Sequence, residues 1–245
     1  MWYPLIVEIL LISLLTLVSS FVGTLTGFGT STIMVPVLVL FFPLPQTLLF
    51  VGVIHWFGDI WKMSLFKSGL RWKLIFLFGI PGILATYIGA RLVFSLPEKL
   101  LSQLLGAFLI AYTIFLFVNP KFKFKQNNIN AVFGGTLSGF LAGISGVGGA
   151  VRGAFLSIFN LPKAVYIATS GSIGLIIDST RLVTYFSEGT RVPQNLLWGF
   201  LIFIPISYVG AEISKRVVDK IPQKSFRNVV SVFLFIVGLK LLLFP

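Results

Sequence analysis

Apolar residues run along the chain in blocks that are hydrophobic on every face, unlike the single stripe of a soluble amphipathic helix. The blocks cover 5–22, 33–42, 47–66, 74–92 and 100–118, then 131–144, 154–159, 164–186, 196–213 and 229–244. A helical bilayer crossing needs about 20 predominantly apolar residues. A β-barrel would alternate apolar and polar positions, and these blocks do not. The pattern predicts an all-α polytopic membrane protein forming one integral domain over 1–245. Two blocks, 33–42 and 154–159, are too short to cross, and each follows a glycine-rich stretch. They predict broken or re-entrant helices. The first block lacks a basic leading region and a small-residue cleavage site, so it reads as a membrane segment and not as a signal peptide.

Composition agrees. Of 245 residues, 56% are hydrophobic and 11% charged, against about 25% charged in soluble domains. The 19 Lys and Arg against 7 Asp and Glu give a formal charge of +12, which basic cytoplasmic loops explain without a nucleic-acid partner. There is no cysteine and a single histidine, His55, so thiolate chemistry, disulfides and a His-rich metal site are excluded. No cofactor or metal is expected.

The chain matches itself at a displacement of 119. Gly27 then falls on Gly146, Gly29 on Gly148, Pro43 on Pro162, Gly52 on Gly171, Asp59 on Asp178 and Lys62 on Arg181. Further on, one or two residues of slip align Gly69 with Gly189, Arg71 with Arg191, and Tyr87, Gly89 and Ala90 with Tyr208, Gly210 and Ala211. Glycines coincide by chance, but an aspartate and a cation three residues later do not readily do so in a chain this poor in charge. Two homologous repeats of about five membrane segments each are expected, 1–120 and 129–245. Loop charge sets their relation. Lys62, Lys67, Arg71 and Lys73 follow the third block, and Lys121, Lys123 and Lys125 join the halves. In the second half the bias moves one loop later, to Lys215, Arg216, Lys220, Lys224 and Arg227. Five crossings per half with the second inverted account for this. A parallel arrangement of four crossings each would put the five-cation loop outside.

The stretches Gly27-Phe-Gly-Thr-Ser-Thr-Ile-Met-Val-Pro and Gly146-Val-Gly-Gly-Ala-Val-Arg-Gly-Ala-Phe place a flexible turn ahead of each short block. Here the chain resembles, over essentially its whole length, the TauE/SafE family of sulfite and organosulfur-anion exporters. That family carries a duplicated Gly-x-Gly-Gly-Gly motif followed by proline. Thr30 and Ser31 stand at the later glycines of the first copy, which keeps Pro36. Ala150 and Phe155 stand at the last glycine and the proline of the second. The resemblance implies a multi-pass plasma-membrane permease for a small sulfur-containing anion.

Physical chemistry gives the turns an anion-binding role of their own. Glycine permits positive φ and close backbone approach, so helix-starting amides can point into one cavity with the helix dipole behind them. The candidates for substrate contact are Gly27, Gly29, Thr30, Ser31, Thr32, Ser145, Gly146, Gly148, Gly149 and Arg152, the last offering a charged fork. The same glycines also fit a role in close helix packing, and the hydroxyls a role in bonding backbone carbonyls. Asp59 and Lys62, and Asp178 and Arg181, are three apart on helices and can pair on one face. Structural ion pairs near the helix ends are one reading, with Lys62 and Arg181 as the cations. Uptake of a proton by Asp59, Asp178 or His55 is the other, since an ordinary imidazole titrates near neutrality. Trp56, Trp61 and Trp72 read as an interfacial belt.

A secondary transporter working by alternating access, with proton coupling open to it, is the leading expectation, with the lipid bilayer and a small anion as partners. An anion channel or a carboxylate permease on the same scaffold is the alternative. A membrane enzyme lacks the necessary nucleophile, base or metal cluster, and no Gly-x-x-x-x-Gly-Lys-[Ser/Thr] phosphate loop is present. Substrate identity, transport direction and homo-oligomerisation are not written in the sequence.

Overall fold

The computed structural model describes residues 3–67, 69–118, 125–218, 220 and 223–244, and no strand occurs among them. The helices are α1 (Tyr3–Thr26), α2 (Ser31–Leu38), α3 (Leu44–Leu65), α4 (Trp72–Ser95), α5 (Glu98–Val118) and α6 (Asn128–Ser145). They continue with α7 (Gly148–Ser157), α8 (Lys163–Ser187), α9 (Gln194–Leu197), α10 (Phe200–Val217) and α11 (Gln223–Leu243).

Each apolar block contains a helix, and the boundaries differ: α2 ends at Leu38 and α7 at Ser157, short of the ends of their blocks. The short helices begin earlier than their apolar runs, at Ser31 and Gly148, so the hydroxyls and glycines of the motif occupy their first turns. The block 196–213 is divided, because the Gly199, Leu201 and Ile202 amides donate i→i−3 bonds to the carbonyls of Leu196, Trp198 and Gly199 where α9 meets α10. At 1.5 Å per residue α2 and α7 are about 12 and 15 Å long, half a bilayer core or less. Ile6–Thr26, Leu44–Leu65, Trp72–Ser95 and Glu98–Phe115 are long and apolar enough to cross one.

Punctuation follows backbone chemistry. Positive φ at Gly27 (+74°), Gly29 (+89°) and Gly146 (+71°) turns the chain from α1 into α2 and from α6 into α7, a region open to glycine and costly for other residues. Pro43 and Pro162 precede α3 and α8, where a missing amide proton costs nothing.

Helices α3 and α8 pack together, as do α5 and α11, α1 and α10, and α4 and α6; α4 also lies on α8, α10 on α3, and α2 touches α7. Small residues let the backbones meet. A Cβ added to Gly139 of α6 would overlap the Gly82 carbonyl of α4, and Thr86 Oγ1 donates to Gly139 O at 3.0 Å. Between α1 and α10, Ser20 Oγ donates to Ser207 O at 2.5 Å. Both follow the small-residue, hydroxyl-bonded packing of membrane helices. The outer faces expose Leu10, Leu14, Ile80, Leu84, Leu201 and Val209, while the interior between α3 and α8 is charged. That is the reverse of a soluble protein.

Lys62 is not a loop cation. It lies within α3, fully buried beside Asp59, which leaves Lys67 and Arg71 as exposed cations between α3 and α4, with Lys73 exposed in the first turn of α4. Lys121 and Lys123, and the side chains of Lys224 and Arg227, lie outside the described residues.

Candidate functional site

Helices α3 and α8 meet along a line on which Gly52 packs against Arg181, His55 against Asp178, Asp59 against Gly174 and Lys62 against Gly171. The two helices therefore run in opposite directions. The glycines are spaces. Gly171 makes room for the Lys62 stem, with Lys62 Cβ 3.0 Å from where its own Cβ would be, and Gly52 leaves the Arg181 guanidinium at 3.6 Å. A Cβ on Gly174 would overlap Asp59 Oδ2 and stand 2.8 Å from Arg152 Nη2.

Both expected ion pairs form. Lys62 Nζ is 2.6 Å from Asp59 Oδ1 and Arg181 Nε 2.7 Å from Asp178 Oδ1. They are buried inside the protein, the first toward the end of α3, with Lys62 in its last turn, and the second farther from the end of α8, and all four residues are at most 1% exposed. His55 stands between them. Its Nδ1 is 2.7 Å from Asp178 Oδ2, 3.1 Å from Ser31 Oγ and 3.4 Å from Arg181 Nη2. In the tautomer that carries the ring proton on Nδ1, that nitrogen donates to the carboxylate. The other nitrogen, Nε2, is 3.6 Å from Asp59 Oδ1 and has no hydrogen-bond partner. The backbone of Gly29 lies directly against it, and a Cβ there would overlap Nε2.

Arg152 completes the cluster from α7. Its Nε donates to Ser170 Oγ at 3.2 Å, and Ser170 Oγ donates to Gly27 O at 3.0 Å, so the guanidinium is tied to the first glycine turn. Its Nη2 is buried without a partner, as is Asp59 Oδ2. Among the described residues the buried Lys, Arg, His, Asp and Glu side chains are His55, Asp59, Lys62, Arg152, Asp178 and Arg181. Three cations face two carboxylates. With a neutral imidazole the cluster carries one uncompensated positive charge, and Arg152 bears it. A lone charge in a bilayer core costs at least about 2.5–3.5 kcal/mol, which makes Arg152 the unbalanced member of the cluster. His55, Asp59 and Asp178 also offer donor atoms within 4.8 Å of one another, the spacing of a metal triad. Lys62 and Arg181 occupy those carboxylates, and the excess positive charge opposes a further cation.

The glycine turns converge on each other. Gly149 packs against the Phe28 carbonyl, Gly148 against Ser138 O, and Gly153 against the Phe28 ring. Tyr166 Oη reaches both Thr26 O and Gly153 O at 3.3 Å, bridging the two turns. Neither α2 nor α7 has a side-chain cap at its start; in α2 the Thr32, Ile33 and Met34 amides donate to the carbonyls of Gly29 and Thr30, so its first turn is already bonded to backbone. The four candidate hydroxyls divide. Ser31 Oγ meets His55, and Thr30 Oγ1 is buried without a partner near Gly58. Thr32 Oγ1 donates to Phe28 O at 3.1 Å and Ser145 Oγ to Leu141 O at 2.8 Å, so both protons are spent on their own backbone. Gly146 lies near Arg181, with a Cβ there 3.0 Å from Nη1. Of the tryptophans, Trp72 is 61% exposed, whereas Trp56 Nε1 bonds Ser179 Oγ and Trp61 Nε1 bonds Ser207 Oγ, tying α3 to its neighbours.

Ser170, Gly174 and Tyr166 are not signalled by the sequence. Gly52 and Gly171 are, but only as matched positions of the repeat.

Long apolar helices with a buried charged cluster are the marks of an α-helical membrane protein. The model of the family described as Sulfite exporter TauE/SafE matches residues 12–241. The chain belongs to the TauE/SafE family, and with it takes an anion-exporter type of transport role. A comparison with individually curated proteins found no match.

Proposed function

We propose that the protein is a secondary transporter that carries a small sulfur-containing oxyanion, sulfite or a sulfonate, across the plasma membrane by alternating access. The observation that carries this reading is the third buried cation. Arg152 is 1% exposed, has no carboxylate partner among the described residues, and holds one nitrogen without a hydrogen-bond partner. An oxyanion there meets a guanidinium fork, the amides that begin α7 and the Thr30 hydroxyl.

In this reading two inverted repeats, 1–120 and 129–245, rock about the cluster. Helix pairing supports it. Exchanging α1 with α6, α2 with α7, α3 with α8, α4 with α10 and α5 with α11 turns the α1·α10 contact into α6·α4 and α4·α8 into α10·α3, and returns α3·α8 and α5·α11 to themselves. Register supports it further. The displacement of 119 converts the contact of His55 with Asp178 into that of Gly174 with Asp59, and Gly52 with Arg181 into Gly171 with Lys62. Because α3 and α8 run oppositely, the axis relating them is perpendicular to both. For two spanning helices that axis lies in the bilayer plane, which favours inversion over a parallel repeat. With no phosphate loop in the sequence, ion or substrate gradients supply the energy.

The test is flux in proteoliposomes. Truncating one member of a buried charged contact costs about 2–5 kcal/mol, so Arg152→Ala weakens sulfite or methanesulfonate transport by about 30-fold or more at subsaturating anion. Wild-type flux from that variant contradicts the proposal.

A further inference from the structure

Resting on the transport reading above, we infer that His55 takes up one proton whenever the bound anion carries two charges, so that the site accepts monoanions bare and dianions together with a proton. The argument is one of charge. Three buried cations and two buried carboxylates leave a surplus of one, which a monoanion cancels. A dianion leaves the buried site negative by one unless a proton enters with it. Three groups in the cluster are able to hold that proton, and their surroundings differ.

Asp59 and Asp178 are committed to Lys62 and Arg181 at 2.6 and 2.7 Å. Protonating either carboxylate strips a buried cation of its partner. His55 has no such conflict. Its Nδ1 already faces Asp178 Oδ2 at 2.7 Å, and its Nε2, buried and without a hydrogen-bond partner, faces Asp59 Oδ1 at 3.6 Å. A proton added at Nε2 produces an imidazolium flanked by a carboxylate on each side. The groups packed about the ring are Asp59 and Lys62 from α3, Asp178 and Arg181 from α8, Ser31 from α2 and, across Gly174, Arg152 from α7. Nε2 also abuts Gly29, in the turn that starts α2. The proton-accepting atom and the first glycine turn are therefore in contact, so occupancy of one is felt at the other without a moving relay. His55 has no counterpart in the second half, where Gly174 holds the matching position. One proton is the limit.

The test uses the full-length protein in proteoliposomes with an internal pH dye and a potential clamped by potassium and valinomycin. Methanesulfonate is the fixed monoanion and thiosulfate the fixed dianion, so substrate protonation cannot mimic proton transport. Wild type is expected to bring in about one proton per thiosulfate and none per methanesulfonate. In His55→Gln, checked for a monodisperse elution profile, the ratio of thiosulfate to methanesulfonate flux falls at least tenfold. Protons accompanying both anions or neither, a wild type that accepts only one of the two charge classes, or an unchanged flux ratio in His55→Gln overturns the inference. A wild type that moves neither anion and binds neither overturns the transport reading itself.

Discussion

The two sides of the buried cluster match in their ion pairs and differ in everything added to them. On α3 the Asp59–Lys62 pair is accompanied by His55; on α8 the Asp178–Arg181 pair has Gly174 in the matching position. The short helices differ in the opposite sense. Arg152 of α7 corresponds to Ile33 of α2, an apolar residue 7% exposed. A strictly symmetric site would hold two pairs and no net charge. Symmetry is broken at two positions, and these supply the surplus cation and the titratable ring. In the function proposed above, the matched part holds the helices together and the unmatched part gives the site its ligand chemistry.

That division can be broken from the structural side first. Lys62→Met leaves Asp59 buried and uncompensated and is expected to destabilise the protein by about 3–5 kcal/mol, with Arg181→Met costing a similar amount on the other side. Thermal unfolding in detergent measures both. Asp59→Asn combined with Lys62→Met recovers most of the loss, because removing both charges removes the unpaired one; a double variant as unstable as Lys62→Met alone argues against a pairing role.

A smaller effect separates the glycines. Gly174→Ala forces a methyl group onto Asp59 Oδ2 and the Arg152 guanidinium, whereas Gly171→Ala meets Lys62 Cβ at 3.0 Å, a contact relieved by a slight shift. Overpacking of the first kind costs about 1–3 kcal/mol. Gly174→Ala is expected to be the less stable variant and the one with weakened anion binding. Equal behaviour of the two contradicts the assignment of Gly174 to the cluster.

The hydroxyls give the smallest contrast. Ser31→Ala removes a bond to His55 and costs about 1 kcal/mol, while also altering the pH dependence of transport. Thr32→Ala removes only a bond to its own backbone and leaves that profile in place. A pH profile moved by Thr32→Ala and not by Ser31→Ala reverses the distinction drawn between them.

Much of this was legible in the chain. The helices follow from apolar blocks, the short ones from glycine turns that only positive φ satisfies, and the ion pairs from i,i+3 spacing, which local geometry alone brings together. What was not legible depends on register between distant helices. Lys62 reads as one of a run of loop cations, and only the packing of α3 on α8 shows it buried opposite Gly171. His55 lies one turn from Asp59 in sequence, but its shortest contact is with Asp178 on another helix. Thr32 and Ser145 look the same as Thr30 and Ser31 on paper. The helical rotation that turns the first two toward their own carbonyls is set by tertiary packing. Gly174 gives no local signal because its role is to be absent from a space that Asp59 and Arg152 fill.

The central claim is that the charge left over from the two matched pairs, Arg152, holds the anion. Anion-dependent thermal stabilisation tests it most directly, since a ligand at 100 times its Kd adds about 2.7 kcal/mol to the folded state. Titrating sulfite or methanesulfonate against wild type and Arg152→Gln in detergent is expected to raise the wild-type Tm in a saturable way and to leave the variant unmoved over the same range. An equal, saturable rise in both proteins contradicts the claim.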